Sequence, residues 1–325
     1  MNSSVKFADM RSAYGNALAE LGMINKNIVC VGADTTDSLK TKKFGDKFPE
    51  RFFNIGIAEA NLVSIAAGLA MTGKIAFAST YAAFLPGRCL DQIRNAICYP
   101  DLNVKLVVSH AGLTVGPDGA SHQQIEDIAI MRSIPNMKVI TPSDAVSVTR
   151  LIKNIVDIPG PFYIRLARPS SEILYEENDS DFKIGKGNIL REGSDMTIIS
   201  CGLMVYKSLK AADNLKKNGI SCRVIDCYSI KPIDRDLVIA AAKETGYIIT
   251  IEEHNYIGGL GSAVTEICSE EYPCYVKRLG IKDIFGESAR DSELNLLLEK
   301  HGLTEKEIER HVLSTLYRIK NGNLS

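Results

Sequence analysis

The chain of 325 residues is 45% apolar and 24% charged, and its formal net charge is −1. This length accommodates two domains of ordinary size. The scattered Lys and Arg argue against a nucleic-acid partner, and no run of about 18 apolar residues is present to cross a bilayer. The N-terminal residues lack the apolar core of a signal peptide, so we expect a cytoplasmic protein with no membrane partner. The eight cysteines form no C-x-x-C pair and are expected to be reduced.

Five nearly continuous apolar runs predict parallel strands in the first half of the chain, at 27–34, 74–80, 104–112, 137–144 and 162–168. Helical patterns alternate with these runs, at 8–23, 57–71, 87–98, 124–133 and 144–156. This alternation predicts an α/β domain in which helices flank a parallel sheet.

A polar, turn-rich segment at 168–195 follows and predicts a linker with a short hairpin. A second α/β series then begins. Its strands are predicted at 196–202, 221–227 and 247–253, and its helices at about 204–218, at 234–245 and from the sequence GGLGSAVTEICSE. We therefore predict two α/β domains, residues 1–185 and a smaller domain of residues 186–325.

Candidate functional residues follow the predicted strands of the first domain. In α/β folds, ligands bind beyond the carboxyl ends of the parallel strands. These ends carry Asp34, Ser38, Tyr81, Phe84, His110, Asp118, His122 and Arg168. Two of the five histidines share one glycine-containing loop, residues 109–123, with an aspartate between them. We call this segment the histidine loop, and its composition favours a functional loop over a solvated surface loop.

A glycine-rich turn opens a helix of the second domain. Gly258, Gly259 and Gly261 resemble a phosphate cradle, but their spacing is not G-x-G-x-x-G. Close helix packing is the favoured interpretation, and we interpret the preceding His254 as structural or as part of an interface.

Glu59 is the one charged residue between Phe52 and Gly73. An apolar setting favours the protonated form of a carboxyl group, which suits proton transfer. The alternative is a carboxylate in the first turn of a helix, where it interacts favourably with the helix dipole. The residues alone leave both interpretations open.

Four motifs point to a known family: NIGIAEANLVSIAAGLA (54–70), STYAAFLPGRCLDQIRN (79–95), SHAGLTVGPDGASHQQIEDIAIMRSIPNMKVITPSD (109–144) and IRLARP (164–169). In kind, order and separation they resemble the C-terminal half of transketolases. The resemblance implies a thiamin-diphosphate-binding-fold pyrimidine domain followed by a smaller transketolase C-terminal domain.

The resemblance also implies that the chain is half of an enzyme. Transketolases bind thiamin diphosphate between two modules, and the diphosphate and metal are held through a G-D-G…N motif. The chain contains no G-D-G. We therefore expect a split transketolase, in which an N-terminal partner subunit supplies most ligands for Mg²⁺ or another divalent metal, most simply in a heterotetramer.

Four residues are assigned to the cofactor by this resemblance. Glu59 matches the glutamate that faces N1′ of the aminopyrimidine and activates the cofactor. Phe84 resembles the aromatic residue that stacks on this ring, Tyr81 resembles a second wall, and Asp34 resembles an acidic residue near the cationic thiazolium ring.

The resemblance assigns a further set of residues to the sugar phosphate. The positions that resemble phosphate contacts are Arg11, Ser38, His110 and Arg168. Asp118 resembles the acceptor of a substrate hydroxyl, and His122 resembles the histidine near the reacting carbon, so the catalytic set is Glu59, His122 and His110. The spacing from Phe84 to Arg88 is one residue longer than in relatives, so Arg88 receives no role.

Three alternatives remain from the sequence. A 1-deoxyxylulose-5-phosphate synthase type of carboligase shares part of the histidine loop. The β subunit of a 2-oxo acid dehydrogenase is similar in length and would act with a lipoyl domain. A non-catalytic subunit that keeps the fold is a third possibility, and the retained Glu59, His110, Asp118 and His122 argue against it.

Overall fold

The computed structural model describes residues 6–177 and 181–322. The first half contains the strands β1 (Phe7–Ala8), β2 (Ile28–Gly32), β3 (Phe52–Asn54), β4 (Ile75–Tyr81), β5 (Val104–Ser109), β6 (Lys138–Ile140), β7 (Phe162–Arg165) and β8 (Ser171–Glu172). Its helices are α1 (Met10–Ile24), α2 (Lys42–Gly45), α3 (Glu59–Met71), α4 (Pro86–Gln92), α5 (Asp127–Ser133) and α6 (Ala145–Ile155). A π-helical stretch, Ile93–Cys98, continues α4.

The second half contains the strands β9 (Asn188–Arg191), β10 (Met196–Ser200), β11 (Cys222–Asp226), β12 (Ser229–Lys231), β13 (Tyr247–Asn255) and β14 (Tyr275–Ile281). Its helices are α7 (Met204–Lys217), α8 (Arg235–Thr245), α9 (Leu260–Glu271), α10 (Leu294–Lys300) and α11 (Glu305–Lys320). Across the described residues, no helix is both long enough and apolar enough to span a bilayer.

Two sheets with mostly parallel strands organise the chain. The first has the order β12–β6–β7–β5–β4–β2–β3, and only β12 runs antiparallel to its neighbour. The second has the order β14–β13–β10–β11–β9, in which only β9 is antiparallel. Strands β2 and β5 are buried along their whole length because helices cover both faces of the sheet. The predicted two-domain α/β fold is confirmed.

The hairpin predicted within 168–195 is wrong. Strand β8 pairs with β1 at the start of the chain, and β9 pairs with β11 at the edge of the second sheet. The short apolar runs of this segment therefore complete distant elements instead of each other. The segment also includes 178–180, which lie outside the described residues.

The glycine-rich turn before α9 serves helix packing. The Glu252 carboxylate accepts the main-chain N–H groups of Leu260 and Gly261, at 2.7 and 2.8 Å. A Cβ atom on Gly259 would lie 2.1 Å from Glu252 Oε2, so only glycine fits there. A protein carboxylate thus occupies the place that a phosphate takes in a nucleotide-binding turn. His254, within the same strand β13 as Glu252, is fully buried and accepts the N–H of Ala129 from the first domain, as its structural interpretation predicted.

A second carboxylate of the same strand joins the two domains. Glu253 Oε1 accepts the main-chain N–H groups of Leu113 and Thr114, at 2.6 and 2.7 Å, in the histidine loop of the first domain. Burial raises the pKa of Glu253, although Arg165 and these N–H groups act in the opposite direction. Gly112 has a φ of 83°, and a Cβ atom there would lie 2.5 Å from the Glu253 carboxyl group. The loop is therefore built around this carboxylate.

A buried ion pair supports the same junction. Arg165 Nε donates to Asp127 Oδ2 at 2.8 Å, and Arg165 Nη2 donates to the main-chain oxygen of Glu253 at 2.9 Å. Tyr163 donates its hydroxyl to the same Asp127 oxygen at 2.8 Å. Because a buried ion pair is stable only when its remaining hydrogen-bonding groups are satisfied, this arrangement ties the base of the loop to both domains.

We predict that Glu253→Gln loosens the histidine loop. Both buried N–H groups donate to Oε1, and the neutral amide oxygen that replaces it is a weaker acceptor, so the free energy of unfolding should fall by about 1–3 kcal/mol. Hydrogen exchange at the Leu113 and Thr114 amides should accelerate in the folded protein.

The matched control is Glu252→Gln, which removes another buried carboxylate that accepts two main-chain N–H groups, one on each of its oxygens. Its unfolding free energy should fall by a similar amount, while exchange at Leu113 and Thr114 stays slow. Equal acceleration of these two amides in both variants would show that the loop responds to general destabilisation and not to Glu253.

Candidate active site

Four aromatic rings from the predicted set meet at the carboxyl ends of β4 and β5. Tyr81 and His110 lie closest, with ring centroids 3.9 Å apart and planes inclined by 33°. His122 meets Phe84 edge-on at 5.1 Å, and Tyr81 and Phe84 are 5.8 Å apart. The parallel strands bring these residues together because their carboxyl ends share one edge of the sheet.

Glu59 adjoins this cluster through Arg88. Glu59 is the first residue of α3 and is 6% exposed, and Arg88 Nη1 lies 3.2 Å from its Oε2. The Arg88 guanidinium also lies over the Phe84 ring, 4.3 Å from its centroid. The carboxylate is therefore at the start of a helix and paired with a half-exposed arginine, so its surroundings are less apolar than the sequence around it indicates.

His110 is buried and constrained. Its backbone has a φ of 61°, in the left-handed region that non-glycine residues rarely adopt, and this ends β5 at Ser109, earlier than predicted. Its Nδ1 lies 2.8 Å from Ser109 Oγ. Burial, followed by the charges of Arg11 and Arg168, lowers the pKa of His110 to about 3. His110 is therefore neutral at physiological pH and can both donate and accept a hydrogen bond.

Two arginines supply positive charge beside His110, and each already has a carboxylate partner. Arg11 Nε lies 3.1 Å from Asp9 Oδ1, in the first turn of α1. Arg168 Nη1 and Nη2 donate to the two Asp291 oxygens, at 2.6 and 3.3 Å. The hydrogen bond to Asp291 raises the pKa of Arg168, and the nearby charge of Asp118 acts in the same direction.

Asp34 and Ser38 lie on the adjoining side of the sheet edge. They line a cavity of about 460 Å³ that follows β2. Ser38 Oγ accepts the Tyr81 hydroxyl at 2.8 Å, which links this cavity to the ring cluster. Asp34, with a φ of 59°, is bonded instead to the Asn54 side chain, at 2.9 and 3.4 Å. Asp34 is thus anchored to Asn54 and not to the four rings.

The sequence did not reveal three residues that complete this arrangement. Arg88 follows Phe84 by four positions in a helical segment, and that spacing could have paired it with the ring. Asp291 and Glu253 could not have been found this way, since they lie 123 and 139 residues from the groups that they contact, Arg168 and Thr114. Their contacts exist only after the two domains pack together.

The residues present fit the aminopyrimidine half of thiamin diphosphate. Arg88 Nη1 donates a hydrogen bond to Glu59 Oε2. The other carboxylate oxygen, Glu59 Oε1, receives no hydrogen bond from residues 6–177 or 181–322. That oxygen can face a heterocyclic nitrogen, while Phe84 and Tyr81 offer ring faces beside it. The G-D-G motif that binds diphosphate and metal in transketolases is missing from the sequence.

Comparison with known families agrees with both domains. The profile of the transketolase pyrimidine binding domain matches residues 6–172, and that of the transketolase C-terminal domain matches residues 185–308.

Individual relatives align with this chain over most of its length. A putative transketolase C-terminal section of Methanocaldococcus jannaschii is 46% identical over 95% of this chain and 97% of its own length. The 6-deoxy-6-sulfo-D-fructose transketolase subunit SqwH of Clostridium sp. is 40% identical, over 93% of this chain and 92% of its own. Against mouse transketolase, at 38% identity, the match covers 87% of this chain but 46% of the mouse protein.

A solved structure described as a split gene transketolase, inactive beta4 tetramer, superposes with a TM-score of 0.87. It is 48% identical in sequence, and the match covers 95% of this chain and 98% of that one. With both domain profiles matched and relatives aligned over nearly their full length, the chain belongs to the transketolase family, as a C-terminal subunit of the split type.

Proposed function

We propose that the chain is the C-terminal subunit of a thiamin-diphosphate-dependent transketolase, which transfers a two-carbon ketol unit from a ketose phosphate to an aldose phosphate. The observation that carries this proposal is the buried Glu59 carboxylate, held beside Phe84 by Arg88 at the same sheet edge as the histidines. An N-terminal partner subunit would supply the diphosphate and metal ligands that the chain lacks.

Bound thiamin diphosphate would supply the carbon nucleophile and the electron sink. Glu59 would hold or share a proton with the ring nitrogen of the aminopyrimidine, and Phe84 and Tyr81 would orient that ring by stacking. The ion pair with Arg88 would keep the Glu59 side chain in one position during this exchange.

The remaining residues would act on the sugar phosphate. Neutral His110 can hydrogen-bond a substrate oxygen, and His122 can move a proton at the reacting carbon. Arg11 and Arg168 would bind the phosphate with their planar donor groups. The ion pair with Asp291 engages Nη1 and Nη2 of Arg168, so Arg168 would offer the phosphate its remaining N–H groups or exchange partners.

An exposed apolar surface beside Glu59 supports the proposed partner. Ile57, two residues before α3, is 76% exposed, and Met71, its last residue, is 75% exposed. Leu90 on the adjacent α4 is 41% exposed. The outward residues of α3 between them include Ala60 and Ser64, which are small. Small and apolar residues permit close packing, so we propose this surface as the contact with the partner, most simply in a heterotetramer.

The substrates separate transketolase from the two other enzyme classes. A complex with the partner chain should react with xylulose 5-phosphate plus ribose 5-phosphate, or with a related ketose in place of xylulose 5-phosphate. Turnover of pyruvate plus glyceraldehyde 3-phosphate would instead indicate a deoxyxylulose-phosphate synthase. Acylation of a lipoyl domain would indicate a 2-oxo acid dehydrogenase.

We predict that Glu59→Gln lowers the kcat of the reconstituted complex by about 100-fold or more, because an amide cannot hold and return the proton. Steady-state ketol transfer measures this loss. The control is Glu50→Gln, the same substitution at an exposed side chain, which should retain full activity. Full activity in an intact Glu59→Gln complex would refute the proposed mechanism.

We also predict that Ile57→Asp weakens assembly with the partner by about tenfold or more, because a charge would be buried in an apolar contact. Sedimentation velocity of the mixed subunits measures the complex. Ile24→Asp introduces the same charge at a side chain that is 81% exposed at the end of α1, and should assemble normally. Normal assembly of both variants would place the contact elsewhere.

A further inference from the structure

A cavity of about 290 Å³ lies on the second domain, away from the residues of the candidate active site. It is bounded by β14, by the turn between α10 and α11, and by the first turns of α11. Its charged and histidine residues are Lys277, Arg278, Lys282, His301, Glu307, Arg310 and His311. Four permanent cations therefore surround it, against a single carboxylate.

Two of these cations, Arg310 and Arg278, have hydrogen-bond acceptors within the chain. Arg310 Nε donates to Glu307 Oε2 at 2.7 Å. Arg278 Nη1 donates to the Tyr256 main-chain oxygen and to Ser262 Oγ, at 3.2 and 3.1 Å. Lys277 and Lys282 form no ion pair with any residue of the described ranges. The cavity thus keeps two positive charges that are not neutralised within the chain.

One of the histidines that line the cavity, His301, carries an unsatisfied nitrogen. His301 is 6% exposed, and its Nδ1 has no hydrogen-bond partner among the described residues. A buried polar atom without a partner is costly and calls for an explanation, such as a ligand or an ion. His301 is therefore a second, independent indication of a ligand in the cavity.

The second histidine shows how strongly the cations act on the cavity. Arg310 Nη2 lies 3.2 Å from His311 Nε2. Burial lowers the pKa of His311, and the charges of Arg310, Lys277 and Lys282 act in the same direction, opposed by Glu307. These cations come from β14, from the segment after it and from α11, so their fields converge on one place.

We propose that this cavity is a binding site for a small phosphorylated anion. The unpaired Lys277 and Lys282 would take its charge, and His301 Nδ1 would donate to one of its oxygens. A compact tetrahedral group suits donors that approach from several sides, and the volume is close to the lower end of the range for small-ligand pockets. The proposal does not depend on the ketol-transfer function, because no residue is shared with that site.

The test is a titration of the full chain with inorganic pyrophosphate, followed by the ring-proton NMR signals of its five histidines. Signals are assigned by single histidine-to-asparagine variants. The signals of His301 and His311 should shift together in a saturable manner. Citrate, an anion of comparable charge that carries carboxylates only, should compete weakly.

Matched lysine variants identify the source of the affinity. Lys277→Gln/Lys282→Gln should weaken pyrophosphate binding by about tenfold or more, because two charge-assisted contacts are lost. Lys216→Gln/Lys217→Gln removes the same charge at the exposed end of α7 and should bind like the unaltered chain.

Three outcomes would overturn the proposal. Shifts confined to His110 and His122 would place the anion at the candidate active site. If pyrophosphate affinity falls equally in both double-lysine variants, the binding depends only on the net charge of the chain and not on this cavity. Citrate binding as tight as that of pyrophosphate would remove the assignment to phosphate.

Discussion

The hydrogen bonds from Leu113 and Thr114 to the Glu253 carboxylate are the interaction on which the candidate site depends. They let the second domain fix a loop that the first domain begins and ends. Without them two buried N–H groups would lack acceptors, and the loop that carries Asp118 and His122 would lose its anchor. The second domain is therefore part of the architecture of the candidate active site, through the Glu253 side chain that accepts main-chain N–H groups of the loop.

The same dependence explains what the sequence could and could not predict. The strand order along the chain, the position of Glu59 and the ring cluster follow from local patterns, because parallel strands bring their carboxyl ends to one edge. The partners Glu253 and Asp291 follow from domain packing, which no local pattern encodes. The predicted hairpin failed for this reason: β8 and β9 complete sheets begun elsewhere in the chain.

Two adjacent carboxylates of β13 have different partners. Glu252 accepts the N–H groups of the first two residues of α9, and Glu253 accepts two main-chain N–H groups of the histidine loop. Alternating residues of a strand face opposite sides of the sheet, so adjacent glutamates can serve a helix on one side and a loop on the other. A glycine-rich turn that resembles a phosphate cradle is thereby used for packing, while the uncompensated cations lie on β14 and beyond.

We propose that the chain carries one side of a cofactor site shared with its partner. Calorimetric titration of thiamin diphosphate with Mg²⁺ into the chain alone, the partner alone and their mixture measures how the ligands are divided. We expect tight, stoichiometric binding in the mixture and binding weaker by about 100-fold or more for the chain alone, since the charged half of the cofactor would lack its ligands. Equally tight binding to the isolated chain would show that the site is not shared.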